Sequence, residues 1–200
     1  VVLAVPARPA ARLLSDVAPG AARLLASLDY ASLALATLAF RAGDLHLPGG
    51  SGFLVPAVER RVAKAATFTT AKWGWYAESH PDVVLVRLSV GRLGEERDLQ
   101  RDDGEILTAV RADLRDIAGV TAAPVDSRVV RWGGALPQYA VGHLDLVRRV
   151  RTEVAGVPGL AVCGAAYDGV GIPACISSAR RASADVLSSL PADRGDSGGG

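Results

Sequence analysis

Methionine is missing from all 200 residues, position 1 included, and the chain opens directly on the strand-like run VVLAVPA. This predicts that the protein's own N-terminus lies upstream of Val1. Cysteine is scarce: Cys163 and Cys175 alone cannot build a disulfide framework or a cysteine zinc knuckle. A reducing, cytoplasmic setting is the default, with peripheral membrane association left open. Neither sign of charge is in excess, with 22 basic against 21 acidic residues. That excludes the strongly basic footprint expected of a nucleic-acid binder. The longest apolar run, YASLALATLAF from Tyr30 to Phe40, is well short of the about 20 residues a spanning helix needs. No basic segment leads into an apolar one at the start, so no secretory signal is read there. His46, His80 and His143 are far apart and form no metal-binding pair. A G-x-S-x-G elbow is also lacking, and nothing suggests a hydrolytic triad.

What is present is a chain half apolar, long enough for one domain or two small lobes. Buried strands are predicted at VVLAVPA and at Tyr30 to Phe40, with a proline-broken helical stretch between them. A glycine-rich loop then leads to a short strand at Phe53 to Val55. Threonines and Phe68 suggest another from about Ala65 to Thr70. VVLVRLSVG, Val83 to Gly91, is the clearest strand. Ile106, Val110, Leu114 and Ile117 recur at helical spacing and stop at Gly119. DSRVVRWGGALPQYAVGH reads as a long strand kinked at Gly133–Gly134. After it come the amphipathic helix LDLVRRVRTEVAG, the buried strand GLAVCGAA and the helix PACISSARRASADVLSSL. The polar tail PADRGDSGGG is expected to be disordered. Helices alternate with strands at both ends, while the middle is mostly strands, so the pattern is of pieces of two different sheets.

Near the end, GVGIPA satisfies G-x-G-x-x-A at Gly169, Gly171 and Ala174. As a dinucleotide fingerprint it lacks context, because a further strand with a terminal acidic residue does not follow. The local physics is independent of that context. Glycines admit close backbone approach, Pro173 suits a first helical turn, and a helix start aims free N–H groups at an electron-rich ligand. The alternative is an ordinary tight strand-to-helix connection. Cys175, in that first turn, is read as an inert buried thiol, although its place at a helix start can lower a thiol pKa.

Four stretches in order carry a resemblance: GSGFLVP with TFTTAKW, then RWGGALPQYAVGH, then AGVPGLAVCGAAYDGVGIPACISSAR. Together they resemble the C-terminal part of the protoporphyrinogen/coproporphyrinogen oxidases, flavoenzymes of the monoamine-oxidase-like superfamily, from Val1 to about Leu190. The resemblance implies a fold of α/β plus α+β class. It would be a partial FAD-binding Rossmann-like domain with an inserted mixed-sheet substrate-binding domain. Residues 1–8 would belong to the FAD-binding domain, 9–143 to the substrate domain, 144–190 to the C-terminal return, and 191–200 to the tail. In that family the first half of the cofactor site lies upstream. The first and last sheet strands, Val1 to Pro6 and Leu160 to Gly164, would therefore lack neighbours in this chain.

The resemblance further implies FAD as cofactor, with Val170, Gly171 and Ile172 against the flavin, Gly164 and Gly169 shaping the approach, and Trp132 as a flavin neighbour. Without the family, Trp132 reads as a core tryptophan on a buried strand. Gly52 and Leu54 are implied substrate contacts, and Ser89 occupies a matching strand position. The basic group Arg60, Arg61, Lys64 and Lys72 either meets porphyrinogen propionates or is a solvated face. The implied reaction is oxidation of a porphyrinogen by FAD, with oxygen as acceptor. An Ala-, Arg-, Gly- and Val-rich composition leans towards coproporphyrinogen III over protoporphyrinogen IX. A related amine oxidase or carotenoid desaturase, or a flavin-free remnant that binds tetrapyrrole, is the rival. No residue is assigned as catalytic base, and a haem-pathway enzyme is the partner class that the resemblance admits.

Overall fold

The computed structural model describes residues 1–190, so the expected disordered tail lies outside the described residues. The chain divides into two compact units, Val1–Asp29 with Pro137 onwards, and Tyr30–Leu136. These boundaries differ from divisions at 8/9 and 143/144. Helices α1 (Ala7–Leu13) and α2 (Pro19–Ala26) pack on each other, and α2 packs on α6 (His143–Ala155). They therefore cluster with the first unit.

In the first unit, β1 (Val2–Leu3) pairs in parallel with β7 (Ala161–Val162), with Val2 opposite Ala161 and Leu3 opposite Val162. The two end strands expected to lack neighbours thus have each other. Cys163, just past β7, is buried, and burial raises its thiol pKa. Helix α7 (Ile172–Ser189) packs on β7 and β1.

The second unit is a five-stranded sheet in the order β3-β4-β5-β2-β6. Its strands are β2 (Tyr30–Arg41), β3 (Gly52–Leu54), β4 (Ala63–Phe68), β5 (Val83–Val90) and β6 (Asp126–Pro137). β2–β5, β3–β4 and β4–β5 are antiparallel. Val125 N–H bonds Ala39 O and Gly134 N–H bonds Ser32 Oγ, so β6 also runs against β2. The sheet is antiparallel at each of these pairings rather than mixed, and among the described residues parallel pairing is seen at β1 with β7.

One face of this sheet carries the core. Ala36, Leu38 and Phe40 of β2, Ala66 and Phe68 of β4, and Val86 and Leu88 of β5 are all buried together. Period-2 alternation puts them on one side. Against them lies α5 (Asp103–Ala118), which buries Ile106, Val110 and Leu114. Each large side chain so buried contributes about 1.5–3 kcal/mol. Asp102 and Glu105 form a reciprocal capping box at the start of α5, and Gly119 ends it in the left-handed region. Ile117, expected on the buried stripe, is 41% exposed; the chain turns back at Gly119 and Val120 takes the buried place.

Strand β4 starts and ends earlier than the threonine content suggests. Ala63 pairs with Val90 and donates its N–H to Asp113, and Thr69 already opens the short helix α3 (Thr69–Lys72), followed by α4 (Gly74–Ser79). Tertiary pairing overrides β-propensity here. The strand expected from Phe53 lies at Gly52–Leu54.

Candidate functional site

The glycine turn of the first unit runs from the end of β7 to the start of α7. Gly164 has φ +122° and Gly169 φ +143°, backbone that L side chains rarely adopt. A Cβ on Gly169 would also sit 2.8 Å from the Cβ of Ala174, so the turn is pressed onto the first turn of the helix. Gly171 is the N-cap of α7 and offers no side-chain cap, while Pro173 occupies the first turn. The remaining first-turn N–H groups thus face outwards without a capping side chain. On either side stand Val170, 51% exposed, and Ile172, 78% exposed. The turn brings Gly164, Gly169, Val170, Gly171 and Ile172 together. The Cys175 thiol, half-buried, points back to Gly169 O at 3.6 Å.

Beneath the turn is a bracing network that the motif search did not single out. Asp168 accepts hydrogen bonds from Arg151 of α6 at 2.6 Å and Arg181 of α7 at 3.0 Å. Partial burial works to raise its pKa, but the Arg151 hydrogen bond, the Ser178 hydroxyl and the two guanidinium charges outweigh it, holding the carboxyl at about 2. Ser178, fully buried on α7, also accepts the Gly164 N–H at 3.2 Å. Tyr139 stacks on His143, centroids 3.9 Å apart, and its hydroxyl donates to Ala165 O. PQYAVGH thus bonds the chain two residues ahead of YDGVGIP. Only the aspartate between two glycine-rich stretches hinted at this network.

In the second unit the substrate candidates share a surface. Leu54 pairs with Ala65, Ala65 with Ser89, and Ser89 with Leu35, one row across four strands. Gly52, Thr67, Arg87 and Thr37 form the next row on the same side. This is the face opposite the α5-covered core. Gly52 has φ +140°, and a Cβ there would lie 2.1 Å from Ala66 O, so only glycine lets β3 close on β4. Leu54 is 84% exposed.

Trp132 falls on this open face too. Val129 packs against the core, and the Arg131 guanidinium reaches Leu99 O and Arg101 O on the α5 side. Alternation turns Val130 and Trp132 to the opposite side. Trp132 is 52% exposed, which overturns its reading as a core tryptophan.

The basic group separates into different environments. Arg61 is paired with Asp116 at 2.8 Å and Asp113 at 3.4 Å. Lys72 lies over the Trp73 ring, 5.7 Å from its centroid. Arg60 is exposed in the left-handed region, φ +50°. Lys64 is half-buried and lines a groove with Leu54 and Ala65. Among the described residues no group of three His, Cys, Asp or Glu is placed to hold a metal ion, and no helix is long and apolar enough to cross a membrane.

The first unit thus offers a glycine turn at a helix start, and the second an open sheet face. Over residues 1–187 the chain matches the flavin containing amine oxidoreductases, and it belongs to that family. It is 43% identical over 195 residues to coproporphyrinogen III oxidase of Mycobacterium tuberculosis (strain H37Rv), covering 96% of this chain and 41% of that protein. Against coproporphyrinogen III oxidase of Bacillus subtilis the identity is 31% over 192 residues, covering 95% and 40%. The crystal structure of an Exiguobacterium protein provisionally named protoporphyrinogen oxidase matches with a TM-score of 0.77 at 34% identity, over 94% of this chain and 41% of that one. The chain thus spans about two fifths of the length of the curated relatives it matches.

The turn fits the flavin that the family implies. A planar, electron-rich ring edge can approach the glycine backbone, accept from the uncapped N–H groups of α7, and cover the exposed Val170 and Ile172.

Proposed function

We propose that this chain is the C-terminal portion of an FAD-dependent porphyrinogen oxidase of haem biosynthesis, acting on coproporphyrinogen III with oxygen as acceptor. The observation that carries the reading is the shared face. Gly52, Leu54 and Ser89, separate in sequence, fall in adjoining rows on one uncovered side of a sheet. Similarity to named coproporphyrinogen III oxidases supports the substrate class.

In this reading the second unit presents a broad platform of mixed polarity, with Arg87 exposed in its second row, to a flat macrocycle. Leu54 and Leu35 supply apolar contact, Gly52 keeps the edge low, and Trp132 extends the same surface with an aromatic ring. The first unit supplies Gly164, Gly169, Val170, Gly171 and Ile172 to the flavin edge. When bound there, the flavin would supply the hydride acceptor, with oxygen as the proposed final acceptor. The protein's own part is orientation, exclusion of water and a fixed partial positive charge at the start of α7.

The test is flavin retention and porphyrinogen oxidation by the full-length protein that contains this chain, with coproporphyrinogen and protoporphyrinogen run in parallel. FAD-loaded protein that yields fluorescent coproporphyrin, faster than protoporphyrin, supports the proposal. Protein that folds, stays colourless and oxidises neither overturns it.

A further inference from the structure

Strand β4 carries a bulge. Ala63 opposes Val90 and Ala65 opposes Ser89, so Lys64 is an extra residue with no partner on β5. Bulges re-aim a side chain, and this one sends Lys64 into a groove of about 500 Å³ lined with Leu54, Val55, Pro56, Ala65 and Arg92. The groove borders the open face, because Leu54 and Ala65 belong to both.

Its second cation is fixed in place. Arg92 Nη2 donates to Val55 O at 2.9 Å, its Nη1 lies 3.5 Å from Arg61 O, and Glu95 sits 3.4 Å away. Lys64 differs: among the described residues it has no carboxylate partner. Burial, and secondarily the charge of Arg92, lower its pKa. A half-buried ammonium held next to another cation is costly unless an anion arrives. Glu95 already offsets Arg92, so the uncompensated charge is a single positive one. It matches one carboxylate better than a dianionic phosphate. The apolar wall of Leu54, Pro56 and Ala65 suits a ligand that is part hydrocarbon.

We propose that this groove is a carboxylate subsite at the edge of the substrate face, with Lys64 receiving one acidic side chain of the macrocycle and Arg92 fixing its position. The inference rests on reading the open face as the substrate surface. It selects Lys64 from the basic group and adds Arg92, which the sequence did not bring forward.

The experiment is titration of the flavin-loaded full-length protein with coproporphyrin III and with its tetramethyl ester, followed by fluorescence, for wild type, Lys64→Gln and Lys64→Arg. Loss of one charge-assisted hydrogen bond predicts about tenfold weaker binding of the acid by Lys64→Gln. Lys64→Arg restores binding, and the ester binds wild type and Lys64→Gln alike. Equal binding of the acid by wild type and Lys64→Gln overturns the proposal, as does an equal loss for acid and ester. Turnover of coproporphyrinogen by wild type is scored separately. Turnover with Lys64-independent binding removes the subsite and keeps the oxidase. Carboxylate-dependent binding without turnover removes the oxidase and keeps the subsite.

Discussion

Ser89 and Leu54 stand in one row of the sheet, two strands apart, with Ala65 between them. Both therefore point to the side that α5 leaves open. The most exposed member of that row can be changed without disturbing the core. Leu54→Glu is expected to leave the melting temperature within about 2 °C of wild type, as for exposed substitutions generally. It should raise the porphyrinogen KM about tenfold, by replacing apolar contact with a charge that repels a carboxylate substrate. Steady-state kinetics beside thermal unfolding checks this, and an unchanged KM would remove Leu54 from the substrate surface.

The glycine turn offers a paired test. Gly169→Ala forces a side chain into φ +143° and against Ala174, whereas Gly171 has φ −74° and only Pro173, at 3.8 Å, near a new Cβ. Strain of the first kind costs about 1–3 kcal/mol. Gly169→Ala should lower both the denaturation midpoint and the flavin content. Gly171→Ala should keep the midpoint and lose flavin alone, since its methyl group would stand in the proposed approach to the cofactor. The ratio of absorbance at flavin and protein wavelengths reports the second effect. Full flavin loading of Gly171→Ala would argue that the turn is only a connection.

Asp168 makes the turn pH-sensitive. Its carboxyl lies at about 2 in the folded chain against an ordinary 3.8. A depressed pKa means that the ionised form binds its partners, so the stabilisation is full above about pH 4 and is lost as pH falls through 2. Allowing for solvent screening, it amounts to about 1–2 kcal/mol. Asp168→Asn should lose that amount at pH 7 and converge with wild type near pH 2. Denaturant melts across the acid range measure it; a difference that stays constant with pH would mean that Arg151 and Arg181 do not act through charge.

Much of this was legible in the chain. The valine-rich run VVLVRLSVG placed β5 to within a residue, and the stripe of Ile106, Val110 and Leu114 placed α5. The positions of Gly52, Leu54 and Ser89 came with the family resemblance, but their common face did not, because register depends on pairing partners far away in sequence. The end of β4 was misplaced because threonine propensity is weaker than the contacts that start α3. Trp132 looked buried because a tryptophan on a strand is usually covered; only the finding that Arg131 faces α5 shows which way the strand is turned. Arg151, Arg181 and Arg92 were invisible as site residues, since an arginine's partner is set by tertiary structure and not by its neighbours.

The bulge at Lys64 depends on a single buried carboxylate. Asp113 of α5 is buried and accepts the Ala63 N–H at 2.9 Å, where the ladder is interrupted. Arg61 also reaches it at 3.4 Å but has Asp116 as a closer partner. The backbone bond therefore matters more than the ion pair. Asp113→Ala would leave a buried N–H without an acceptor, a loss of about 2 kcal/mol. Arg61→Ala, which breaks pairs at the solvent edge, should not be separable from wild type in denaturant melts. Asp113→Ala should also blunt the discrimination between coproporphyrin and its ester, because a bulge freed from α5 no longer aims Lys64. If stability falls while that discrimination is kept, the bulge serves packing alone and Lys64 finds its place by another route.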